Sequence, residues 1–384
     1  MHSPDWTSLP PELLAKISEE FPIRHRTRIR ATCKAWHSAM VPVIRPSPWL
    51  FLPDEDGEQH NSNFLSLPDN RSFTFPPLPE LCGMRCVGSH AGWFVIADRK
   101  RNVSLLNPLT GKQICLPTRV VRWNVDRVDD LQAFKPNRIG KMVFSPNPTV
   151  DNYVAVAIYR LTKWELTYTK SGEDWWNLLE TALTEDGASY QDILHHDGKF
   201  YGVTHRGEIV AFDLSGVGPT VKTIVARTSG LASIIPRGTY YVNLACTSTG
   251  ELFLVLKLAI HLDDDAMNKS EEDVAVLRLQ DSEDQPPRWD VVKDLGNTCL
   301  LVGKNNSISI STEDLPGMRG NCIYLTELLQ TTSPQGMLIS RKARLFDLKK
   351  RTWESLYSSP IFVPHTSKVP VFAQPPLWFT PSLL

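Results

Sequence analysis

The chain has 384 residues, of which 42% are apolar and 22% are charged. These fractions are those of ordinary globular proteins, so the composition argues against a disordered, collagen-like or membrane-spanning chain, and the length suggests about two to three domains. The formal net charge is −1, so the chain lacks the basic footprint of a dedicated nucleic-acid binder. We therefore expect neither a nucleic acid nor a membrane as a partner.

The charge is unevenly distributed along the chain. Residues 1–50 carry seven Lys/Arg and four Asp/Glu, a net charge of +3, which leaves −4 for the remainder. A basic amino-terminal module favours an acidic partner. No apolar stretch resembles a signal peptide or a membrane span, so we expect an intracellular protein.

Seven cysteines are present, an odd number, and most lie inside apolar runs. This pattern is typical of buried free thiols in a reducing compartment. The pair Cys82 and Cys86 could bind a metal ion, but no second pair stands at a zinc-site spacing. We therefore expect no bound metal.

Two short helices are predicted near the amino terminus. Two prolines followed by Glu12 are typical of a first helical turn, because proline lacks the N–H that would be unpaired there and an acid suits the positive end of the helix dipole. Apolar side chains then recur at helical spacing, namely Leu13, Leu14, Ile17 and Phe21. A second helical pattern runs from Arg24 to about Met40. So short a segment cannot bury both faces of its helices, and a partner helix is expected to cover the rest.

These amino-terminal residues resemble the F-box motif. The likeness consists of a Leu-Pro opening, apolar residues at fixed spacing and a Cys-Lys-x-Trp close. The F-box is a short helical bundle that binds the Skp-type adaptor of cullin-based ubiquitin ligases. The resemblance implies an adaptor-binding element formed by Leu9, Pro10, Leu13, Leu14, Ile17, Ile29, Cys33 and Trp36. Thr32 replaces the usual Val, and residues 24–28 are polar where Leu is common; both departures favour weaker adaptor binding.

Beyond a proline-rich linker at residues 42–48, the apolar period changes from 3.6 to 2. Glycine turns followed by strands recur along the chain, and Gly198 and Gly250 stand 52 residues apart. A period near 50 with several strands per unit is typical of a kelch-like propeller. The acids at residues 263–265 and 271–273 are predicted to lie in a solvated insertion between strands.

Several segments of this β-rich part are similar to the plant F-box family of the KIB type. They are Asp192-Ile193-x-x-His196-Asp197-Gly198, Val302-Gly303-x-Asn305-x-Ser307 and the tail Pro376-Leu377-Trp378-Phe379. The resemblance implies a mixed, mainly β fold, with a small helical F-box at residues 5–42 and a kelch-like β-propeller at residues 45–384. It also implies a substrate-receptor subunit of an SCF ubiquitin ligase, with a Skp-type adaptor, cullin and an unidentified target protein as partners. We expect it to work in the nucleus, the cytoplasm or both.

Little in the sequence indicates chemistry of the chain's own. His195, His196 and Asp197 invite a metal or general-base interpretation, but Asp197-Gly198 between two apolar runs predicts a hairpin turn instead. We expect no enzyme activity, no catalytic residue and no cofactor. Two alternatives stay open: a protein that sequesters or inhibits its partner without degradation, and a propeller enzyme or glycan binder.

Overall fold

The computed structural model describes residues 9–19, 34–39, 47–52, 62–69, 71–75, 81, 84–98, 102–124, 127–181, 187–225, 239–261, 270–282, 285–333, 336–364 and 375–382. In the first two of these ranges, helix α1 (Pro11–Glu19) contacts helix α2 (Lys34–Ala39). A 3₁₀ turn follows much later, at Pro136–Arg138. Almost everything else that is regular is β-strand, as the change of period predicts.

The strands of the amino-terminal half are β1 (Trp49–Leu52), β2 (Ser62–Ser66), β3 (Arg71–Phe75), β4 (Arg85–His90), β5 (Trp93–Ala97), β6 (Val103–Leu106), β7 (Gln113–Cys115), β8 (Arg119–Asn124), β9 (Arg127–Ala133), β10 (Ile139–Phe144), β11 (Val154–Arg160), β12 (Trp164–Lys170) and β13 (Asn177–Leu178). Those of the carboxy-terminal half are β14 (Tyr190–His196), β15 (Lys199–Thr204), β16 (Ile209–Asp213), β17 (Thr220–Val225), β18 (Thr239–Cys246), β19 (Leu252–His261), β20 (Ser270–Ser282), β21 (Gln285–Val292), β22 (Thr298–Val302), β23 (Ile308–Ser311), β24 (Cys322–Ser333), β25 (Gly336–Asp347), β26 (Thr352–Pro364) and β27 (Leu377–Phe379).

These strands form six blades, which are numbered in chain order. Within each blade the strands are named from the centre of the ring outwards. Blade 1 is β27-β1-β2-β3, blade 2 is β4-β5-β6-β7, blade 3 is β10-β11-β12-β13, blade 4 is β14-β15-β16-β17, blade 5 is β18-β19-β20-β21 and blade 6 is β23-β22-β24-β25-β26. The first-named strands contact one another from blade to blade, for example β4 with β10 and β10 with β14. A separate hairpin, β8-β9, lies between blades 2 and 3 in the chain.

The ring closes because the two ends of the propeller share blade 1. Strand β27 pairs antiparallel with β1, with Trp49 opposite Phe379. The indole N–H of Trp378 donates a hydrogen bond of 3.0 Å to the carbonyl of Val302 in blade 6. The carboxy-terminal strand therefore fastens the first blade to the last.

The core consists of six apolar clusters, one between each pair of neighbouring blades. Between blades 1 and 2, the rings of Phe94 and Phe379 lie 4.7 Å apart, centroid to centroid. Burying one such side chain contributes about 1.5–3 kcal/mol. No blade could cover its two faces alone, so the blades stabilise one another around the axis.

The mainly β fold and the propeller are confirmed, and the blade number is six. The kelch-like subtype and the boundaries at residues 5–42 and 45–384 stay predictions. One expectation is wrong in part: residues 271–273 belong to strand β20, not to a solvated insertion. Glu272 forms ion pairs with Lys257 at 2.9 Å and Arg344 at 2.5 Å, so partners distant in sequence hold the acidic run inside a sheet. Residues 263–265 lie outside the described part of the chain.

Candidate functional site

Helix α1 begins where the proline pattern predicts. The backbone N–H groups of Leu13 and Leu14 both donate to the carbonyl of Pro10, at 3.0 and 3.1 Å, which closes the first turn. Leu14 is buried, at 1% exposure, whereas Leu13 is 48% and Ile17 36% exposed. The apolar residues of α1 are therefore divided between a buried side and an uncovered side.

The structure describes three of the other predicted adaptor-binding residues. Leu9 is half-buried and Pro10 is exposed at the start of α1, and Trp36 is half-buried on α2. Ile29 and Cys33 lie outside the described residues. Pro10, Leu13 and Ile17 follow one another at the helical spacing that puts residues on one face. Their role as the adaptor-binding surface stays a prediction.

A second unusual feature lies on the axis of the propeller. Residues 303–307, here called the axial plug, connect β22 to β23 and cross the centre of the ring. The backbone N–H of Asn306 donates to the carbonyl of Ser89 in blade 2 at 2.8 Å. The Asn306 side chain accepts from the N–H of His195 in blade 4 at 2.7 Å and donates to its carbonyl at 3.1 Å. Lys304 donates to the carbonyl of Gly140 in blade 3.

The plug therefore links blade 6 to three blades on the other side of the ring. Its residues Asn305, Asn306 and Ser307 are buried. Buried amide groups are tolerated where their hydrogen bonds are made. The hydrogen bonds of Asn306 are made to the backbone of Ser89 in blade 2 and of His195 in blade 4. The plug fixes the spacing of the inner strands at the centre of the propeller.

A cavity of about 590 Å³ opens at the carboxyl ends of the inner strands, on one side of the plug. Its lining includes Ser89, His90, His195, Cys246, Ser248, Asn306 and Thr380. The rings of His90 and His195 lie 5.5 Å apart. The Nδ1 atom of His90 donates to the carbonyl of Phe144 at 2.6 Å, which leaves its Nε2 atom as an acceptor when the ring is neutral.

The imidazoles of His90 and His195 are held neutral at physiological pH. Burial, followed by the charge of His195, lowers the pKa of His90 to about 4, although the hydrogen bond to Phe144 opposes the shift. Burial, followed by the charge of His196, lowers the pKa of His195 to about 4. Neither ring is therefore tuned to exchange a proton near neutral pH, as a general base would be.

A buried ion pair lies on the other side of the plug. The Nζ atom of Lys141 in β10 lies 2.5 Å from a carboxylate oxygen of Asp192 in β14. Asp192 also accepts the backbone N–H of Leu244 in β18 and that of Ile193, each at 2.8 Å. Burial raises the pKa of Asp192, and the charge and hydrogen bond of Lys141 act against that shift. One carboxylate thus connects blades 3, 4 and 5.

The structure describes three of the remaining chemical candidates, Asp197, Gly198 and Cys86. Asp197 and Gly198 both have positive φ, 46° and 72°, so the predicted hairpin turn between β14 and β15 is confirmed. Burial raises the pKa of the Cys86 thiol to about 12, which makes it inert as a nucleophile; Cys82 lies outside the described residues. Within the described ranges, no three His, Cys, Asp or Glu side chains are grouped to hold a metal. Nor does any described helix have the length and apolarity to span a membrane.

Sequence reasoning missed the plug and the Lys141–Asp192 pair. A signal was present, because Asp192, Asn305 and Ser307 belong to the segments that resemble the KIB type. Their role could not be read from the sequence, since each contacts residues that are remote in the chain.

Two family profiles match this chain. The profile of the F-box domain matches residues 6–41, so α1 and α2 lie within an F-box and the chain is an F-box protein with a propeller domain. The profile described as the KIB1-4 beta-propeller matches residues 64–350. Because that match spans most of the chain, the chain belongs to the KIB1-4 β-propeller family of F-box proteins.

Relatives from Arabidopsis thaliana match over most of their length. F-box protein SKIP23 is 23% identical over 424 residues, covering 98% of this chain and 96% of its own. F-box protein KIB4 is 24% identical over 342 residues, covering 79% and 78%. Among solved structures, the N-terminal domain of Nup159 covers 85% of this chain and 87% of its own at 9% identity, with a TM-score of 0.37. The F-box and the propeller together support a substrate-receptor role in an SCF complex, with a Skp-type adaptor as the partner that an F-box implies.

Proposed function

We propose that this chain is a substrate receptor that delivers a target protein to an SCF ubiquitin ligase for degradation. The F-box docks on a Skp-type adaptor, and through it on cullin, while the propeller holds the target. The observation that carries the proposal is the uncovered apolar side of α1, with Leu13 and Ile17 exposed inside the segment that matches the F-box. The chain itself transfers no ubiquitin in this account.

The proposed mechanism is proximity. Holding a target lysine near the conjugating enzyme converts a bimolecular encounter into a local one, which lowers the entropic part of the barrier. A rigid receptor serves this purpose better than a flexible one, because it loses less conformational freedom when the target binds. The axial plug and the Asp192 contacts make the centre of the propeller such a frame, and the blade loops are the surfaces on which a target is expected to bind.

The adaptor contact is expected to depend on few residues. Because Leu13 is 48% and Ile17 36% exposed, covering what remains exposed contributes at most about half of the 1.5–3 kcal/mol of a fully exposed side chain, and anchors of this kind dominate interfaces. Leu14 is a different case, because it is already buried in the free chain. Its replacement would disturb the fold of the F-box, so Leu13 is the better position at which to test docking. We propose the nucleus, the cytoplasm or both as the place of action.

The test compares partner stability in cells that express the wild type, Leu13→Glu or the matched control Leu13→Met. Proteins captured by all three are identified, and their half-lives are measured after protein synthesis is stopped, with and without proteasome inhibition. The proposal predicts a captured partner that is short-lived with the wild type and Leu13→Met and long-lived with Leu13→Glu. Equal half-lives in all three would refute degradation and favour the alternative, a receptor that sequesters or inhibits its partner.

A further inference from the structure

The axis of the propeller carries more positive than negative charge on the side of the plug away from the cavity. Three cationic side chains lie there, on three different elements: Arg85 on β4, Lys141 on β10 and Lys304 in the plug. Asp192 is the carboxylate that pairs with Lys141, at 2.5 Å. The charges that act on Lys304 are those of Lys141, Asp192 and Arg85. This group therefore holds a formal charge of +2.

The contacts bring these side chains to one place. Asn305, next to Lys304, stands beside Ser89 of β4 in a parallel bridge, which sets the plug along the strand that carries Arg85. The ammonium group of Lys304 reaches the carbonyl of Gly140, the residue before Lys141. A Cβ atom on Gly88 would lie 3.3 Å from the carbonyl of Lys304, so the backbones of plug and β4 are in close contact.

The hydrogen-bonding capacity of these cationic groups is incompletely used. The Nε atom of Arg85 is buried without a hydrogen-bond partner, within the part of the chain that the structure describes. Lys304 is exposed to solvent as a whole residue, while the surroundings of its ammonium group, through desolvation first and then through the charge of Lys141, lower its pKa to about 8. The guanidinium of Arg85 cannot lose its proton. A hydrogen-bond acceptor is therefore needed to offset the cost of enclosing its charge.

We propose that the axis of the propeller binds a small tetrahedral oxyanion, of the sulfate or inorganic phosphate type, between Lys304 and Arg85. The guanidinium supplies directed N–H donors and the ammonium supplies a point charge, which is the pairing that recognises such anions. Lys141 is neutralised by Asp192 and acts as the wall of the site. The bound anion would join blades 2 and 3 to the plug and stabilise the centre of the ring.

The test is calorimetric titration of the full chain with sodium sulfate in chloride buffer at constant ionic strength. We expect one saturable site in the wild type. Lys304→Met should weaken sulfate binding at least about tenfold, and Arg85→Gln should do the same. The matched control is Lys199→Met, since Lys199 is an exposed lysine at the hairpin on the other side of the plug. It should bind sulfate like the wild type.

A second measurement needs no variant. Sulfate keeps its charge between about pH 7 and about pH 9, so a change of affinity over that range reports on the protein. Because Lys304 has a pKa of about 8, sulfate binding should weaken as the pH rises through this value. Lys304 faces the cations Arg85 and Lys141 and the anion Asp192. We expect none of these three groups to dominate the change of sulfate affinity with pH.

The proposal is overturned if the wild type shows no saturable sulfate binding. It is also overturned if Lys304→Met binds as tightly as Lys199→Met. These experiments require neither adaptor nor target. Their failure would leave the proposed receptor function untouched.

Discussion

Replacement of Asp192 by alanine should be among the most damaging single changes at the axis of the propeller. The carboxylate pairs with Lys141 at 2.5 Å and accepts the backbone N–H of Leu244 at 2.8 Å. Asp192→Ala removes both interactions and leaves the Lys141 ammonium, 2% exposed, without its counter-charge. We expect a loss of about 3–5 kcal/mol in the free energy of unfolding, because that is the cost of breaking a buried pair by removing one partner.

The expected change in melting temperature follows from the size of the propeller. The entropy of unfolding is roughly 0.7 kcal/mol/K for about 340 residues, so the melting temperature should fall by about 4–7 °C. The double variant Lys141→Met/Asp192→Leu removes both charges from the buried site. It should recover most of the loss, because replacing both partners by apolar groups is often close to neutral.

The assay is thermal unfolding followed by circular dichroism and by intrinsic fluorescence. Agreement between the two probes shows whether the blades unfold together. A fall of less than about 1 °C in Asp192→Ala would refute the argument from an unpaired buried charge. So would a double variant that is less stable than Asp192→Ala alone.

Two further predictions concern the same region. A Cβ atom on Gly88 would lie 2.6 Å from the carbonyl of Met142, so Gly88→Ala should destabilise by about 1–3 kcal/mol; the control Gly218→Ala, with nothing within 4 Å, should stay within about 0.5 kcal/mol in denaturant unfolding. Because the pKa of His90 is lowered to about 4, the unfolded chain takes up its proton first, and the stability from neutral His90 should be lost as the pH falls from about 6.5 to about 4. His90→Gln should show a smaller fall in melting temperature between about pH 7 and about pH 5, and an unchanged fall would contradict this assignment.

Local signals in the sequence were sufficient for the strands and turns. Asp197-Gly198 predicts its hairpin because both residues tolerate the positive φ that a two-residue turn requires. The repeated glycine turns predict stacked units, since each unit leaves apolar faces to be covered. Leu13 and Leu14 are adjacent and equally apolar, so spacing alone could not tell which is buried; that distinction depends on how α1 and α2 pack.

Features built from remote residues were beyond reach of the same reasoning. The run containing Glu272 resembles a loop because its partners, Lys257 and Arg344, stand in other strands, one of them in another blade. Blade 1 could not be assembled either, because β27 and β1 come from opposite ends of the propeller. The plug has no local signature at all, since residues 303–307 are shaped by the blades that they contact.

The most direct test of the receptor account is the affinity of the purified full chain for a purified Skp-type adaptor. Wild type, Leu13→Glu and Leu13→Met are compared in one titration series, after each is shown to have the same melting temperature for the propeller. The account predicts a saturable complex with wild type, an affinity for Leu13→Met within about threefold, and a loss of at least about tenfold for Leu13→Glu. No complex with the wild type, or equal affinity for Leu13→Glu, would contradict it.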